Sequence, residues 1–221
     1  MLVKDILNTE ISPLKLDDTV AVALSKMNAL RLTKFGVVDS HNRLVGMISL
    51  AKLVEVVDVH TPLSEIELSD PIHVLFNQHL FEVARMMVAK ELFVLPVVDG
   101  EMIFQGVVRK RELLMELSDA FNLSSFGSVI TVELGQADFM LSDLVRIIEA
   151  EGAKILGVAV QQPNANNSFY RISFKLNLND SSVVSAGLRR FGYIVTSEAN
   201  SEALEGDYSD RADELIRYLD I

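Results

Sequence analysis

Two stretches of the chain carry apolar residues at the spacing of an amphipathic α-helix. The first covers residues 20–27 and the second covers residues 80–87, sixty positions later. In each stretch the apolar residues fall at positions i, i+3, i+4 and i+7, so their side chains share one helix face that is expected in the core. Asp17 and Asn77 are expected to cap the two helix starts. The apolar faces consist of Val20, Ala23, Leu24 and Met27, and of Leu80, Val83, Ala84 and Met87.

Two short apolar strands follow each predicted helix, with a polar turn between them. A further short helix is predicted to begin near Ser49 in the first half and near Arg109 in the second. Together with a leading strand, each half therefore has the order strand, helix, strand, strand, helix. The paired strands are predicted at residues 35–39 and 44–48 in the first half, and at 93–99 and 103–108 in the second.

The two halves are copies of one internal repeat. Adding 60 to a position in the first half often recovers the same residue type, with no gap. The Val-Val-Asp segment at 37–39 recurs at 97–99, and Gly46 recurs as Gly106. Each copy has one apolar sheet face to cover, so the two copies are expected to bury those faces together.

Residues 128–197 follow a different rhythm. The pattern predicts four strands and two helices in the order βαββαβ, which is the ferredoxin-like arrangement. Gly152 is expected to end the first of these helices. The strand at 155–160 is continuously apolar, so it is expected to be buried. The other elements are strands at 130–134, 170–176 and 193–196, and helical stripes at 141–148 and 184–191.

The end of the chain carries a narrow apolar stripe on an acidic background. This stripe is expected to pack on its own chain or on a dimer partner. Because the polar face is acidic, anionic lipid would repel it, and no membrane contact is expected. The stripe consists of Tyr208, Ala212, Leu215, Ile216 and Leu219. The predicted parts are repeat 1 at 1–60, repeat 2 at 61–120, a linker at 121–127, the βαββαβ segment at 128–197 and the tail at 198–221.

Composition narrows the function classes. Hydrophobic residues make up 49% of the 221-residue chain and charged residues 23%, which is a globular mixture. The sequence has no cysteine, which excludes disulfides, zinc–thiolate sites, iron–sulfur clusters and thiol catalysis. Apolar runs are too short for a transmembrane helix, and no signal peptide is visible at the N-terminus. A cytoplasmic protein is expected.

The charge of the chain argues against nucleic acid as a partner. The formal net charge is −11, whereas a duplex-binding protein normally carries a basic face. The tail at 198–221 holds 8 acidic and 2 basic residues, a net of −6. This tail is expected to be a solvated, solubilising face.

The repeats resemble a known family. The segment 95–99, Leu-Pro-Val-Val-Asp, followed by Gly-Val-Val at 106–108, looks like the core of a CBS domain. The segments 35–39 and 44–49 look like the preceding copy, so residues 1–120 resemble a tandem CBS pair, or Bateman module. The resemblance implies an α+β, non-catalytic regulatory module that binds adenine nucleotides in clefts between the repeats and forms a homodimer. AMP, ADP, ATP or S-adenosylmethionine would be the bound ligand, and no cofactor is required.

The ligand motif of this family is incomplete in both copies. In the family, the strand after the glycine ends in Ser or Thr, and an Asp three residues later accepts hydrogen bonds from the ribose hydroxyls. In the first copy Ser49 fits, but Lys52 stands in the place of the Asp and cannot accept a hydrogen bond. In the second copy Arg109 replaces the hydroxyl residue, while Glu112 keeps a carboxylate.

The candidate nucleotide-binding residues follow from this motif. The basic run at 109–111 either contacts an anionic ligand at a helix start or forms a solvated surface turn, which is the more frequent role of charge runs. Ser49 is equally suited to be a helix N-cap. Phe35 and Leu95 are placed near an apolar pocket for the base. The candidates are Phe35, Ser49, Lys52, Leu95, Arg109, Arg111 and Glu112.

The βαββαβ segment resembles an ACT-type regulatory domain, on its element order and on residues 149–155. ACT domains often bind amino acids where a glycine lies before the first helix. Here Phe139 stands at about that point, which favours a docking or dimerising sheet instead. A CBS pair followed by an ACT-like domain resembles the AcuB-like group of acetoin-utilisation regulatory proteins. The tail at 198–221 is predicted to contain a C-terminal helix.

Three functions from different classes are compared. The first is a ligand sensor whose CBS cleft binds an adenine nucleotide or a small anion and signals to the ACT-like domain or to a protein partner. The second is an interaction scaffold with empty clefts, or an amino-acid sensor. The third is an enzyme, but no nucleophile, base and orienting group can be named. The four histidines show no metal-ligand spacing, so no metal site is expected.

Overall fold

The computed structural model describes residues 1–135, 139–165 and 167–199, and the described chain divides into two compact units. The first unit comprises Met1–Leu117, and the second contains the described residues from Ser118 onward. The predicted tail stripe lies outside the described residues. In the described ranges, no helix combines the length and the apolar character that a membrane crossing needs.

Residues 14–120 contain two copies of one βαββα motif, as the repeat predicts, and the first unit ends within the last helix of the second copy. In each copy the first strand is parallel to the second, and the second is antiparallel to the third, giving two three-stranded sheets. The first copy consists of β1 (Leu14–Lys15), α1 (Val20–Ala29), β2 (Lys34–Val38), β3 (Leu44–Ser49) and α2 (Leu50–Val54). The second consists of β4 (Val74–Leu75), α3 (Leu80–Ala89), β5 (Val94–Val98), β6 (Phe104–Arg109) and α4 (Lys110–Ala120).

The apolar stripes of the two copies form the core of the first unit. Met27 and Met87 are fully buried, as the helical spacing predicts. Phe35 lies in one buried cluster with Met27 and Ile48, whereas Leu95 lies in another cluster with Met87. The first cluster also contains Val98 and Phe104 from the second copy, so the two copies share apolar contacts.

The predicted helix caps are wrong in both copies. Thr19, rather than Asp17, caps α1 by accepting a bond from the backbone N–H of Val22. The Nδ1 atom of His79, rather than Asn77, caps α3 by accepting a bond from the N–H of Phe81. The reason is that the residues just before the caps close the preceding turn: the Asp18 carboxylate accepts a hydrogen bond from the N–H of Lys15. In the second copy the Gln78 side chain accepts the equivalent bond from Leu75.

The second unit contains the six elements predicted from the sequence, in the predicted order. They form one antiparallel sheet with the strand order β10-β7-β9-β8. Both helices contribute to a single buried cluster with the sheet, and Gly152 follows α5 with φ +84°. The elements are β7 (Val129–Leu134), α5 (Leu141–Ala150), β8 (Ile155–Gln161), β9 (Tyr170–Leu176), α6 (Ser182–Arg190) and β10 (Ile194–Ala199).

The strand predicted to be buried at residues 155–160 is instead an edge strand. Among the described strands, β8 has β9 alone as a neighbour in the sheet, and its second half is exposed, with Val160 43% accessible. An apolar run does not reveal where a strand lies in the sheet order, so this prediction was wrong. Phe191, the last residue of the second predicted stripe, is also more than half exposed because it follows the end of α6.

Candidate functional site

Each cleft of the first unit is built from both copies. The segment before the second copy pairs with the last strand of the first: Met47 and Ser69 exchange two backbone hydrogen bonds of 2.9 Å. The segment before the first copy pairs with the last strand of the second, because Asn8 and Val107 exchange bonds of 2.9 and 2.8 Å. Each ligand motif therefore lies beside the leading segment of the opposite copy.

Glycine permits this crossed pairing. A Cβ atom on Gly46 would lie 2.7 Å from the Cβ of Leu68 and 2.9 Å from the backbone oxygen of Ser69. On Gly106 it would lie 2.5 Å from the backbone oxygen of Asn8. Gly106 also has φ +152°, a conformation that favours glycine. The repeated glycine thus brings the leading segments against the strands that carry the motif.

The first cleft contains a cavity of about 260 Å³ at the end of β3. Its wall combines the motif of the first copy with the leading segment of the second. Lys52 and Glu67 are both exposed, so the cleft offers one cationic and one anionic group to solvent. The lining residues are Met47, Ile48, Ser49, Lys52, Glu67, Leu68 and Ser69.

Two hydroxyl groups line the first cleft, and each already makes one hydrogen bond. Ser49 is the N-cap of α2, and its Oγ accepts a bond of 3.2 Å from the backbone N–H of Lys52. This bond uses an acceptor site and leaves the hydroxyl hydrogen available to a ligand. The Oγ of Ser69 donates to the backbone oxygen of Met47 at 3.1 Å, and this bond uses its hydrogen but not its acceptor sites.

The second cleft differs because its two charged motif residues pair with each other. The Arg109 guanidinium forms an ion pair with the Glu112 carboxylate, three residues later on α4. The Nε atom of Arg109 and the Oε2 atom of Glu112 are buried and lack a hydrogen-bond partner among the described residues. Arg109 stands at the position of Ser49, the cap of α2 in the first copy, and Glu112 stands at the position of Lys52. The ion pair therefore occupies the two positions that hold a hydroxyl and an ammonium group in the first cleft.

The remaining basic residues of the 109–111 run do not join this ion pair. The Lys110 ammonium lies 5.3 Å from the centroid of the Phe93 ring, a cation–π distance, and Arg111 is exposed. The run is therefore divided between one paired and two surface-exposed side chains.

Phe35 and Leu95 are fully buried. Their rings and methyl groups pack inside the two core clusters of the first unit, with no accessible surface for a ligand in this conformation. Of the seven predicted residues, the structure brings together Ser49 with Lys52, and Arg109 with Glu112.

Sequence reasoning missed Glu67, Leu68 and Ser69. These residues lie outside the motif, in the segment that leads into β4. The repeat contains a signal for them, since Gly46 and Gly106 recur at one offset and a recurring glycine marks close backbone approach. The sequence does not reveal which segment approaches each glycine.

The polar turns of the two copies bind their own backbone. The Asp99 carboxylate accepts bonds of 2.9 Å from the N–H groups of Ile103 and Glu101 and from the Gln105 side chain. These bonds, chiefly that of Ile103, hold the pKa of Asp99 below its ordinary value. Asp39 shows the same lowered pKa, chiefly through the N–H of Arg43. Within the described ranges, no group of three or more His, Asp or Glu side chains is arranged to hold a metal ion.

Comparison with known proteins identifies the repeats. A model of the CBS domain matches residues 3–59 and 63–119, which together exceed half of the chain. No curated protein matches the sequence.

Several solved structures are similar to about half of the chain. The CBS domains of a transcriptional regulator from Streptococcus pneumoniae are 22% identical, with 52% of this chain and 98% of that chain covered and a TM-score of 0.47. A CBS domain pair/ACT domain protein from Thermotoga maritima is 22% identical, with 54% and 98% covered and a TM-score of 0.49. A CBS domain pair solved with 5′-methylthioadenosine and S-adenosyl-L-methionine is 22% identical, with 54% and 97% covered and a TM-score of 0.44.

Proposed function

Since the chain belongs to the CBS domain family, we propose that it is a non-catalytic regulatory protein whose first cleft binds an adenine nucleotide or a related small anion. CBS pair proteins are typically regulatory ligand sensors. The observation that carries the proposal is the cavity at the end of β3, where a cation, a carboxylate and two hydroxyl groups converge.

The polar groups of the first cleft suit the parts of a nucleotide. The Lys52 ammonium and the Ser49 hydroxyl supply hydrogen-bond donors to a phosphate. The Glu67 carboxylate supplies the acceptor for the ribose hydroxyls that the motif lacks at position 52. The cavity of about 260 Å³ lies just below the usual range for small-molecule sites of about 300–1,000 Å³. AMP, the smallest of the four expected ligands, is therefore the first one to test.

The second cleft is the weaker candidate for the same ligand. A phosphate at Arg109 would have to compete with the Glu112 carboxylate, which already pairs with it. A ribose at Glu112 would have to displace Arg109. Binding there therefore includes the cost of separating a partly buried ion pair, which the first cleft does not impose.

Calorimetric titration of AMP into the full chain tests the proposal. Wild-type protein is expected to bind AMP saturably and to gain thermal stability with AMP concentration. Lys52→Ala and Glu67→Gln should each weaken binding by about tenfold or more, the loss of one charge-assisted hydrogen bond. Glu112→Gln is the matched control and should change the affinity less than about twofold.

The reverse result would overturn the assignment of the cleft. If only Glu112→Gln or Arg109→Ala weakened AMP binding, the second cleft would be the site. Saturable binding unaffected by any of these variants would place the ligand outside both motifs.

The interaction scaffold is the alternative, favoured by the departures from the motif at Lys52 and Arg109. It predicts no heat and no stabilisation with AMP, ADP, ATP or S-adenosylmethionine. A protein partner would then be the ligand. Stabilisation by an amino acid alone would favour sensing by the second unit.

We extend the proposal to the rest of the molecule. The order βαββαβ and the sheet order of the second unit support an ACT-like, ferredoxin-like domain that reads the state of the CBS pair. The resemblance to acetoin-utilisation regulatory proteins and the cytoplasmic location belong to the same proposal. CBS pair proteins often dimerise, so a homodimer through this pair is expected by light scattering.

A further inference from the structure

Among the described residues of the second unit, α5 and α6 cover one face of the sheet, and the opposite face is here called the open face. In an antiparallel sheet, directly paired residues share a face. Ile130 pairs with Phe174, and both are buried in the cluster that contains α5 and α6. The next pair, Thr131 with Ser173, therefore points away from the helices, and its two hydroxyl oxygens lie 2.9 Å apart.

An apolar depression of about 250 Å³ lies at one end of the open face. The segment that follows α4 forms one wall: a Cβ atom on Gly157 would lie 2.8 Å from the backbone oxygen of Phe121. Leu123, in the same wall, is 62% exposed. The depression is lined by Phe121, Leu123, Val129, Gly157, Val158, Ala159, Ser173 and Lys175.

The described chain ends beside this depression. Ala199, the last residue of β10, pairs with Val129, which lines the depression. Val129 pairs in turn with Lys175, and Lys175 with Gly157, so the four residues form one row across the sheet. Ala199 therefore lies at the edge of the open face, and the sequence continues for 22 residues beyond it.

The segment from 200 onward has the right length to cover the face. Residues 200–207 can extend by about 25 Å, which exceeds the width of about 14 Å of a four-stranded sheet. A helix over residues 208–219 would be about 18 Å long, similar to the length of a seven-residue strand of about 23 Å.

The charge and the apolar pattern of the segment from 200 to 221 are also complementary to the open face of the sheet. The sequence from 200 to 221 contains seven acidic and two basic residues, and its apolar residues recur on one helical face. The strands β7 and β9 present Arg171 and Lys175 on the open face against the single carboxylate of Glu133, which pairs with Arg171. The open face thus holds an excess of positive charge for an acidic segment.

We propose that residues 208–219 dock as an amphipathic helix on the open face of the second unit's sheet, with their apolar stripe over the depression beside Val129. The occupant is this chain's own C-terminal segment. A second copy on the same face is the competing outcome.

Cross-linking of engineered cysteines tests the docking on the full chain. The natural sequence has no cysteine, so each pair gives an unambiguous product. Ala159→Cys, on the open face, is combined with Leu215→Cys or Ile216→Cys from the stripe. A short bis-maleimide should join these pairs within one chain at least about tenfold faster than the control pair, because docking raises the effective concentration.

Arg217→Cys with Ala159→Cys is the control, since position 217 lies on the opposite side of the predicted helix. Equal rates for stripe and control positions would overturn the proposal. Cross-links formed only between chains would replace it with a second copy on this face.

Hydrogen exchange on the unmodified protein gives a second, independent measurement. An isolated helix of twelve residues is marginal in water, so slowed exchange of the amides at 208–219 reports docking. We expect protection of about tenfold or more in the wild type and its loss in Leu215→Asp. Unprotected amides in the wild type would overturn the proposal even if a cysteine variant failed to fold.

Discussion

At the scale of single residues, glycine sets how closely the two CBS copies approach. Gly106 lies against the backbone of Asn8 and has a positive φ, whereas a Cβ atom on Gly100 would meet nothing within 4 Å. Both strain and contact therefore oppose a side chain at position 106. The same contact positions the leading segments that complete the clefts.

We expect Gly106→Ala to lower the free energy of unfolding by about 1–3 kcal/mol, the cost of a sparsely populated backbone conformation. Gly100→Ala is the matched control and should change it by less than about 0.5 kcal/mol. Urea unfolding of both variants measures the difference. Equal stability of the two variants would show that the backbone near Asn8 can move away from a side chain at position 106 without a loss of stability.

The turn aspartates give a second prediction, for pH. The pKa of Asp99 is lowered from 3.8, so the carboxylate stabilises the folded chain above that pH and loses this contribution as pH falls through the lower, folded-state pKa. We expect Asp99→Ala to have a lower Tm than wild type at pH 7, and the difference to shrink as pH is lowered below 3.8.

Thermal unfolding at a series of pH values measures this difference. Asp99→Asn is the control, because the amide oxygen can still accept a bond but cannot titrate. The lowest pH in the series is about 2.5, on the order of one unit below the ordinary pKa of an aspartate side chain. A Tm difference between wild type and Asp99→Ala that stays constant down to this pH would contradict the prediction.

At the scale of elements, the start of each helix depends on the turn before it. The Thr19 hydroxyl accepts a bond of 3.4 Å from the N–H of Val22, whereas the Asp18 carboxylate closes the turn at Lys15. Two adjacent polar residues thus divide the roles of turn and cap. The same division holds for Gln78 and His79 in the second copy.

Thr19→Ala is expected to destabilise the protein by about 0.5–1 kcal/mol, the usual loss of an N-cap. Asp17→Ala, two residues earlier and exposed, should cost less than about 0.5 kcal/mol. Chemical denaturation of the two variants compares them directly. A larger loss of unfolding free energy for Asp17→Ala than for Thr19→Ala would show that Asp17 is the N-cap of α1, as the sequence predicted.

At the scale of the whole molecule, the acidic net charge predicts a weak attraction to nucleic acid. The net charge is −11, and the basic run at 109–111 includes Arg109, which is already paired with Glu112. Lys110 and Arg111 are the two cationic side chains of this run outside the ion pair. Two cations neutralise few DNA phosphates, so few counterions would be released from the DNA on binding.

We expect no mobility shift of a 30-bp DNA duplex at about 10 µM protein and physiological salt. The affinity of this protein for DNA would then be weaker than that of a typical non-specific DNA-binding protein. The experiment is an electrophoretic titration at two salt concentrations. A shift that weakens with salt and disappears in Arg111→Glu would identify the basic run as a binding patch. A shift unaffected by that variant would place the contact elsewhere.

The repeat, the resemblance to CBS domains and the order of the elements in both units could be predicted from the amino-acid sequence. Helical and strand periodicity depend on backbone geometry over a few residues. The burial of Met27 and Met87 and the strand at 170–176 were therefore predicted correctly. The spacing of the motif also identified Ser49 and Lys52, which line one cavity.

Which segments contact each other could be read only from the three-dimensional fold. Pairing between Met47 and Ser69 brings Glu67 to the first cleft, and the contact between Arg109 and Glu112 fills the second with an internal ion pair. The sheet order places the apolar strand β8 at an edge. Each of these outcomes depends on partners distant in sequence or on rotamers, and local patterning carries no information about either.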